Sequence, residues 1–446
     1  MRRLVTRILD APCVRITDRV PYRHDARRSS VQRAPDAELA GPCAGRVGGR
    51  RILKVCLVHN FYKEPGGEDQ VFAAEVALLE EHGHEVLRYT ADNDDVPGLG
   101  KLALAGKTIW SQQTYRHLRR MFRVERPDVV HFHNTLPLVS PAAYYAARRA
   151  GAAVVQTLHN YRLICPSSTL FRDGRPCEDC VLKRVRWPGV VHRCYRSSVL
   201  ASGTVASMLA VHGALGTWHR TVNAYIALTE FGRRKFIAGG LPEHKIMVKP
   251  NFLASDPGVG NGNGNFALFV GRLAPEKGVD ALLRAWTAED PGIPLKIAGA
   301  GVLSGRVETA ARTSGRIEWL GHRTNASVRE LMKQATVLVF PSEWYEGLPI
   351  TIVEAYATGL PIVASDLGAM STLVAPGRTG MLFPPGDARE MAGAVRRVIH
   401  DPARLASMRI AARAEFDTNF TAARNYGLLT QIYSSALANA AQAHAS

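Results

Sequence analysis

The chain has 446 residues, of which 46% are hydrophobic and 21% are charged, and its formal net charge is +17. This length suits about two to three domains that each bury a core, and the composition excludes a wholly disordered chain and a collagen-like repeat. Seven cysteines are too few for a small disulfide scaffold, and the basic balance alone does not separate nucleic-acid-binding proteins from other anion-binding proteins.

Residues 1–51 are rich in arginine and contain neither an apolar stretch long enough for a secretory signal nor a lasting helical periodicity. We therefore expect a basic, disordered tail over these residues. Because no export signal is evident, we expect the protein to be cytoplasmic.

From Ile52 onward, short apolar runs alternate with helical patterns, which is typical of parallel sheets with helical crossovers. This first series predicts a domain over residues 52–250. Its predicted strands are 52–58, 84–89, 127–132, 152–158 and 224–228, and its predicted helices are 68–83, 108–124, 140–150 and 229–239.

Residues 199–218 contain only His212 as an ionisable residue, and twenty residues are enough to span a bilayer. Their many alanine, glycine, serine and threonine residues reduce the gain from transfer into lipid. The composition therefore favours a helix that lies in the core or at a membrane interface.

Residues 251–265 are rich in glycine and asparagine, which predicts a linker. A second series over residues 266–419 predicts a second domain, with strands at 266–271, 293–299, 317–321, 335–340 and 360–365. The predicted fold is α/β, with two doubly wound, Rossmann-like domains facing each other across a cleft. Ligands of such sheets bind outside the carboxyl ends of the strands.

Two motifs follow strands of the second domain. Arg272 and Lys277 lie in the loop after strand 266–271, where two cations beside a helix N-terminus favour a diphosphate. Glu346 and Glu354 follow strand 335–340 and are separated by seven residues, with Pro349 in the first turn of a helix between them. Such a segment offers backbone N–H groups to phosphate and carboxylates to sugar hydroxyls.

The segment PSEWYEGLPITIVEAYATGLP, with GRLAPEKG upstream, resembles the retaining nucleotide-sugar glycosyltransferases of family four (glycosyl transferases group 1), which have the GT-B fold. The resemblance extends over roughly residues 52–440. It implies that residues 420–446 form a helix that returns toward the first domain. It also implies a UDP- or GDP-sugar donor and an acceptor that is lipid-linked or a polysaccharide.

The resemblance further implies a role for each matching residue. Arg272 and Lys277 would hold the donor diphosphate, Glu346 would contact the transferred sugar, and Glu354 would bind the ribose hydroxyls. Gly66 and Gly67, in EPGGED, match the family's glycine loop, where the backbone approaches the diphosphate, and His159, in QTLHNYR, matches a histidine near the reaction centre. In this family the acceptor attacks on the face from which the diphosphate departs. Because no Asp-x-Asp motif stands out as a clamp for a divalent metal, the chemistry is expected to be metal-independent, with no cofactor for catalysis.

Four cysteines lie within an insert over residues 160–197 and read C-x11-C-x2-C-x13-C: Cys165, Cys177, Cys180 and Cys194. The x2 pair is typical of a thiolate zinc site. The alternative interpretation is a set of reduced cysteines in an irregular loop, and a cytoplasmic location argues against disulfides.

The positive charge is concentrated near this insert, because residues 101–250 have a net charge of +16 and residues 251–446 of only +1. Lys183, Arg184, Trp187 and Tyr195 together suit an anionic phospholipid surface or a polyprenyl-diphosphate acceptor. This pattern predicts a peripheral protein on the inner face of the cell membrane, although a solvated basic face is equally consistent with it.

Two other functions remain open from the sequence. One is a basic, zinc-containing protein that binds nucleic acid, against which the neutral C-terminal half argues. The other is a different GT-B enzyme, such as an epimerase or a phosphorylase.

Overall fold

The computed structural model describes residues 46–47, 50–62, 66–96, 98 and 100–445. Residues 1–45, which make up most of the expected tail, lie outside the described residues. The last residues of the expected tail form two short strands, of which β1 (Arg46–Val47) runs antiparallel to β2 (Arg50–Arg51). An ion pair of 3.1 Å also joins Arg51 Nη2 to Asp128 Oδ1.

The N-terminal half continues with strands and helices in alternation. In chain order these are β3 (Lys54–Phe61), α1 (Gly67–Glu81), β4 (Glu85–Asp92), α2 (Lys101–Ile109), α3 (Gln112–Glu125), β5 (Val129–Phe132), α4 (Ala142–Arg149), β6 (Ala153–Leu158), β7 (Phe171–Arg172), β8 (Arg175–Pro176), α5 (Trp187–Val191), α6 (Val199–Ala214), β9 (Ala224–Ala227), α7 (Glu230–Ala238) and β10 (Ile246–Val248).

Six of these strands form one parallel sheet in the order β10-β9-β6-β5-β3-β4. The apolar runs of β3, β5, β6 and β9 are almost wholly buried, because helices cover both faces of the sheet. Strands β7 and β8 form a separate antiparallel pair in the insert.

The C-terminal half repeats this architecture. Its elements are β11 (Ala267–Val270), α8 (Val279–Thr287), β12 (Leu295–Ala298), α9 (Ser304–Thr313), β13 (Ile317–Gly321), α10 (Asn325–Gln334), β14 (Val337–Phe340), α11 (Ile350–Ala357), β15 (Ile362–Ser365), α12 (Met370–Leu373), β16 (Gly380–Phe383), α13 (Ala388–Ile399), α14 (Pro402–Asn419) and α15 (Ala422–Ala445). The six strands form a second parallel sheet in the order β13-β12-β11-β14-β15-β16. The predicted fold of two doubly wound domains is therefore confirmed.

Each strand predicted from the apolar runs is present, whereas the edge strands β10 and β16 were not predicted. Both are short, and β16 begins with a glycine, so neither has the long apolar run of a central strand. The helix predicted over 108–124 is wrong in one respect, because the chain is extended at Trp110 and a new helix begins after Ser111. The Ser111 hydroxyl accepts a hydrogen bond from the Thr114 N–H and so caps α3.

The segment predicted as a linker is packed against the C-terminal domain. Phe252 and Leu253 are buried in the hydrophobic cores. A side chain on Gly260 would lie 2.2 Å from the Cα of Lys333, so the glycine permits close packing. Asp256 pairs with Arg413 of α14. These contacts hold the segment in place.

Helix α6, within the apolar segment 199–218, buries Met208 and Leu209 in the core and leaves Val199 and Leu200 exposed. Among the described residues, no helix combines the length and the apolarity that a membrane-spanning helix needs.

Helix α15 packs on the N-terminal sheet, where Leu429 and Tyr433 join the core beneath β3 and β5. Next to it lies a fully buried ion pair, in which Lys249 Nζ donates to Glu75 Oε1 at 2.5 Å. Asn425 of α15 accepts a second hydrogen bond from Lys249 at 3.3 Å. Burial alone would raise the pKa of Glu75, but Lys249, His133 and His131 hold it well below its usual range.

This pair predicts an asymmetric mutational response. Lys249→Met should lower the free energy of unfolding by about 3–5 kcal/mol, because it leaves the Glu75 carboxylate buried without its cation. The double variant Glu75→Gln with Lys249→Met should lose less than the sum of the two single variants. Urea unfolding followed by circular dichroism measures both, and a parent-like Lys249→Met would show that the pair is not a stabilising constraint.

Candidate active site

A cavity of about 860 Å³ lies between the carboxyl ends of the two sheets. Six residues predicted from the sequence line it: Gly66, Gly67, His159, Arg272, Lys277 and Glu346. Glu354 and the four clustered cysteines do not line it. The two domains therefore bring together most of the predicted donor site from segments more than one hundred residues apart.

Lys277 and Glu346 form the central ion pair of this cleft. Lys277 Nζ donates to Glu346 Oε1 at 2.6 Å, and the Ser342 hydroxyl donates to the same oxygen at 2.6 Å. The Lys277 ammonium also lies 4.8 Å from the centre of the Trp344 ring. Since an ammonium has three N–H donors, Lys277 can keep its contact with Glu346 and still donate to a diphosphate.

The backbone around Lys277 requires a glycine. Gly278 has a φ of +68°, and a Cβ there would lie 1.9 Å from the carbonyl oxygen of Pro341. This close approach packs the Lys277 turn against the end of β14 and so places the lysine beside the loop that bears Glu346. Arg272, by contrast, is exposed and pairs with Glu276 at 2.8 Å, which leaves its guanidinium accessible from the cleft.

Helix α11 begins at the cavity wall. The wall includes Gly347, Leu348, Pro349, Ile350 and Thr351, which form the loop and first turn of the helix. The first N–H groups of a helix have no intrahelical acceptors and carry a partial positive charge. This end of α11 can therefore bind an anionic group.

Glu354 lies further along α11 and is buried. Its carboxylate accepts a hydrogen bond from Arg329 Nε of α10 at 3.0 Å. Burial raises the pKa of Glu354, whereas Arg329 lowers it. In this arrangement the side chain is held away from the cavity wall, and its predicted contact with ribose stays a prediction.

Gly66 and Gly67 form the start of α1 on the opposite wall. The Gly66 N–H donates to Asp69 Oδ2 at 2.8 Å. Among the described residues, and apart from the adjacent backbone, no atom lies within 4 Å of the position of a Cβ on either glycine, and neither has a left-handed backbone. Packing within the described residues therefore does not require glycine at these two positions. Because neither residue has a side chain, the cleft beside them stays open.

His159 follows β6 and belongs to a buried relay. Its Nε2 lies 3.0 Å from His133 Nδ1, and His133 Nε2 lies 3.4 Å from Glu75 Oε2. If His133 carries its proton on Nε2, the nitrogen nearest Glu75, its Nδ1 can accept a hydrogen bond from Nε2 of His159. Burial, followed by His133, holds the pKa of His159 well below its usual range, which favours the neutral ring.

Three polar groups that the sequence did not single out also line the cleft. Glu68 Oε2, Asn251 Oδ1 and Trp344 Nε1 are buried atoms without a hydrogen-bond partner among the described residues. Burial raises the pKa of Glu68, and Asn160 donates to its other oxygen at 2.9 Å. Glu68 follows the glycine pair and Trp344 lies within the Glu346 motif, but sequence cannot show that both side chains turn toward one cavity.

The insert contacts the C-terminal domain at the edge of this site. The Tyr345 hydroxyl donates to Glu178 at 2.8 Å, and the Tyr161 hydroxyl donates to the carbonyl oxygen of Glu346 at 3.3 Å. Burial and Glu178 raise the pKa of Tyr345 to about 12, so its hydroxyl remains a donor at neutral pH. Cys165, Cys177, Cys180 and Cys194 surround a separate, small cavity within the same insert.

Two Rossmann-like domains with an interdomain cleft of this kind define the GT-B class of glycosyltransferase folds. The chain matches the profile of glycosyl transferases group 1 over residues 255–415 and that of glycosyltransferase family 4 over residues 65–256. It is 30% identical over 300 residues to the GDP-mannose-dependent alpha-mannosyltransferase of Mycobacterium tuberculosis, which covers 66% of this chain and 70% of that protein. The chain belongs to glycosyltransferase family 4.

Two further similarities have different extents. A glycogen synthase of M. tuberculosis is 35% identical over 159 residues, which are 34% of this chain and only 38% of that protein. The structure of Alr3699/HepE from Anabaena in complex with UDP superposes with a TM-score of 0.62 at 20% identity, over 86% of this chain and 100% of the other. These similarities do not favour a nucleic-acid-binding protein.

The glycines predict contrasting responses to alanine. Gly67→Ala should leave the free energy of unfolding unchanged or raise it by up to about 1 kcal/mol, because alanine suits a helix better than glycine does. It should nevertheless weaken donor binding, because its methyl group projects into the cleft. Gly278→Ala is the matched control and should destabilise the fold, because its Cβ would overlap Pro341. Thermal unfolding and calorimetric donor binding test this, and parent-like binding by Gly67→Ala would contradict it.

Proposed function

We propose that this protein transfers a sugar, with retention of configuration, from a nucleotide-sugar donor to a lipid-linked or polysaccharide acceptor. The observation that supports this most is the cleft in which Lys277, Glu346 and the first turn of α11 converge. Cations beside free backbone N–H groups suit a diphosphate, and a buried carboxylate next to them suits the sugar. The named GDP-mannose-dependent and UDP-bound relatives agree with a donor of this class.

In the proposed reaction the bond between the anomeric carbon and the diphosphate oxygen breaks, and a bond from that carbon to the acceptor oxygen forms on the same face. The departing phosphate oxygen takes the acceptor's proton. Lys277, Arg272 and the N-terminus of α11 stabilise the negative charge that grows on the diphosphate. Because these groups supply positive charge, we propose that transfer needs no divalent metal.

The other polar groups position the reactants. In the tautomer that donates from Nε2 to His133, His159 Nδ1 accepts a hydrogen bond from a hydroxyl of the donor sugar. Glu68 Oε2 and Asn251 Oδ1 accept from further hydroxyls, and Trp344 Nε1 donates to an oxygen. Buried groups of this kind reject a substrate that leaves them unpaired, so they favour a sugar with matching hydroxyls.

The decisive test compares Lys277→Ala with Glu346→Gln. Lys277→Ala should weaken the binding of bare nucleoside diphosphate by roughly tenfold or more and should slow transfer as well, because the charged contact is present in both states. Glu346→Gln should bind the nucleoside diphosphate at least as tightly as the parent, because it removes a carboxylate that pairs with Lys277. Its transfer rate should fall by roughly two orders of magnitude.

Calorimetry with the nucleoside diphosphate and single-turnover rates with its sugar donor measure these effects. Gln113→Ala, on the exposed side of α3, is a suitable control and should behave as the parent. Transfer by Glu346→Gln at the parent rate, or a loss of diphosphate binding equal to that of Lys277→Ala, would contradict the assignment.

We also propose that the protein meets its acceptor at an anionic lipid surface. Residues 181–229 contain no aspartate or glutamate. Eight of the thirteen exposed large apolar side chains among the described residues lie between positions 182 and 215: Leu182, Val185, Trp187, Val191, Val199, Leu200, Val211 and Leu215. Exposed apolar residues interspersed with Lys183, Arg184 and Arg193 match the chemistry of anionic headgroups above acyl chains.

This proposal predicts salt-sensitive binding to anionic vesicles. Leu182→Ser with Trp187→Ser should reduce the bound fraction, because both side chains are more than half exposed, at 82% and 54%. Val302→Ser with Ile410→Ser, which changes two exposed residues of the C-terminal domain, should not reduce it. Cosedimentation with phosphatidylglycerol and with phosphatidylcholine vesicles at two salt concentrations measures this. Equal binding to both kinds of vesicle would refute the proposal.

A further inference from the structure

The insert over residues 160–197 has little regular structure to hold its shape. Its strands β7 and β8 have two residues each, and α5 has five. Six of the ten non-glycine residues with positive φ in the described chain lie in it: Ser168, Leu170, Asp173, Arg193, Arg196 and Ser197. Left-handed backbone costs free energy for such residues, so a segment with this many requires other interactions to fix it.

The four cysteines of the insert line the same small cavity. Cys165, Cys177, Cys180 and Cys194 line a cavity of about 10 Å³, which they share with Ser167, Phe171, Arg172 and Gly189. A space of this size holds a single small ion or atom group. The thiols come from three separate stretches of the insert, so an ion bound to all of them would cross-link the whole segment.

One cation lies beside the thiols, because Arg172 lines the same small cavity. Arg172 lies close enough to attract both Cys177 and Cys194. Four thiolates around a divalent cation have a net charge of −2, which a neighbouring guanidinium partly balances.

We propose that Cys165, Cys177, Cys180 and Cys194 bind one structural Zn²⁺. Zinc prefers four sulfur ligands in a tetrahedral arrangement, and the Cys-x2-Cys turn supplies two of them from one tight loop. The thiol protons pass to solvent as the metal binds, and no oxidation or reduction occurs. The ion closes an insert that has little other regular structure.

Zinc at this position also controls a contact with the proposed active site, and this second part rests on the proposed function. Glu178 lies between Cys177 and Cys180, and it accepts hydrogen bonds from Lys235 at 2.6 Å and from Tyr345 at 2.8 Å. Tyr345 directly precedes Glu346. The metal therefore fixes Glu178 as a positioning residue that holds the Glu346 loop against the N-terminal domain.

Metal analysis of the full chain tests the zinc site without any measurement of activity. Protein purified under reducing conditions without chelators should contain about one equivalent of zinc. Cys177→Ser with Cys180→Ser should lose it, whereas Cys56→Ala, which changes a buried cysteine of β3 outside the cluster, should retain it. Because the double variant is expected to be unstable, a second measurement uses the parent: chelator-treated protein should take up one equivalent of Co²⁺ with the absorption of cobalt–thiolate bonds.

Several outcomes would overturn the proposal. These are parent protein that neither contains zinc nor takes up Co²⁺, a folded double cysteine variant that keeps its zinc, and mass spectrometry that finds the four cysteines paired as disulfides.

Glu178→Gln tests the link to the cleft. This variant should keep its zinc and its affinity for nucleoside diphosphate, while kcat falls, because the Glu346 loop is then less firmly held. An unchanged kcat would refute the positioning role and leave the zinc site intact. If neither parent nor variant transfers sugar from any donor, the proposed function fails while the metal content still decides the zinc site.

Discussion

The buried pair of Glu75 and Lys249 is the constraint on which the rest of the structure depends. A carboxylate with no solvent contact must be compensated, and here the compensation comes from three other segments: Lys249 after β10, His131 and His133 of the β5 segment, and Asn425 of α15 through the lysine. Lys249 lies at the end of the N-terminal domain, where the chain leaves for the second domain. Helix α15 is the segment that returns from the second domain to the N-terminal sheet. One charge balance therefore fixes the junction between the domains.

The same carboxylate reaches the cleft through His133 and His159. Burial, followed by His133, holds the pKa of His159 well below its usual range, which favours a neutral ring that can contact a ligand hydroxyl. On the opposite wall, Lys277 and Glu346 neutralise one another before any ligand is present. The cleft thus contains charged groups that are already paired and oriented, which lowers the reorganisation that a polar ligand must induce.

The insert has an inner surface that faces the cleft and an outer surface that faces solvent. Its inner side contacts Tyr345 and contributes Ser168, Thr169 and Arg196 to the wall of the large cavity. Its outer side exposes Leu182, Val185 and Trp187 among basic residues. A metal that holds the insert rigid would therefore set the distance between a lipid surface and the sugar-transfer site.

The sequence by itself determined the fold, because strands buried on both faces must be continuous apolar runs and their alternation with helices permits little besides parallel sheets. It also predicted Lys277, Glu346 and His159 as site residues, from their positions after buried strands and from the family resemblance, and the structure places all three at the cleft. It did not reveal the short edge strands, whose apolar runs are brief, or the break before α3. The tertiary structure alone decided that Glu354 pairs with Arg329, that Glu68 and Asn251 line the cleft, and that Glu75 orients His159 through His133. Those contacts join residues far apart in the chain, and their distances depend on how whole elements pack rather than on local spacing.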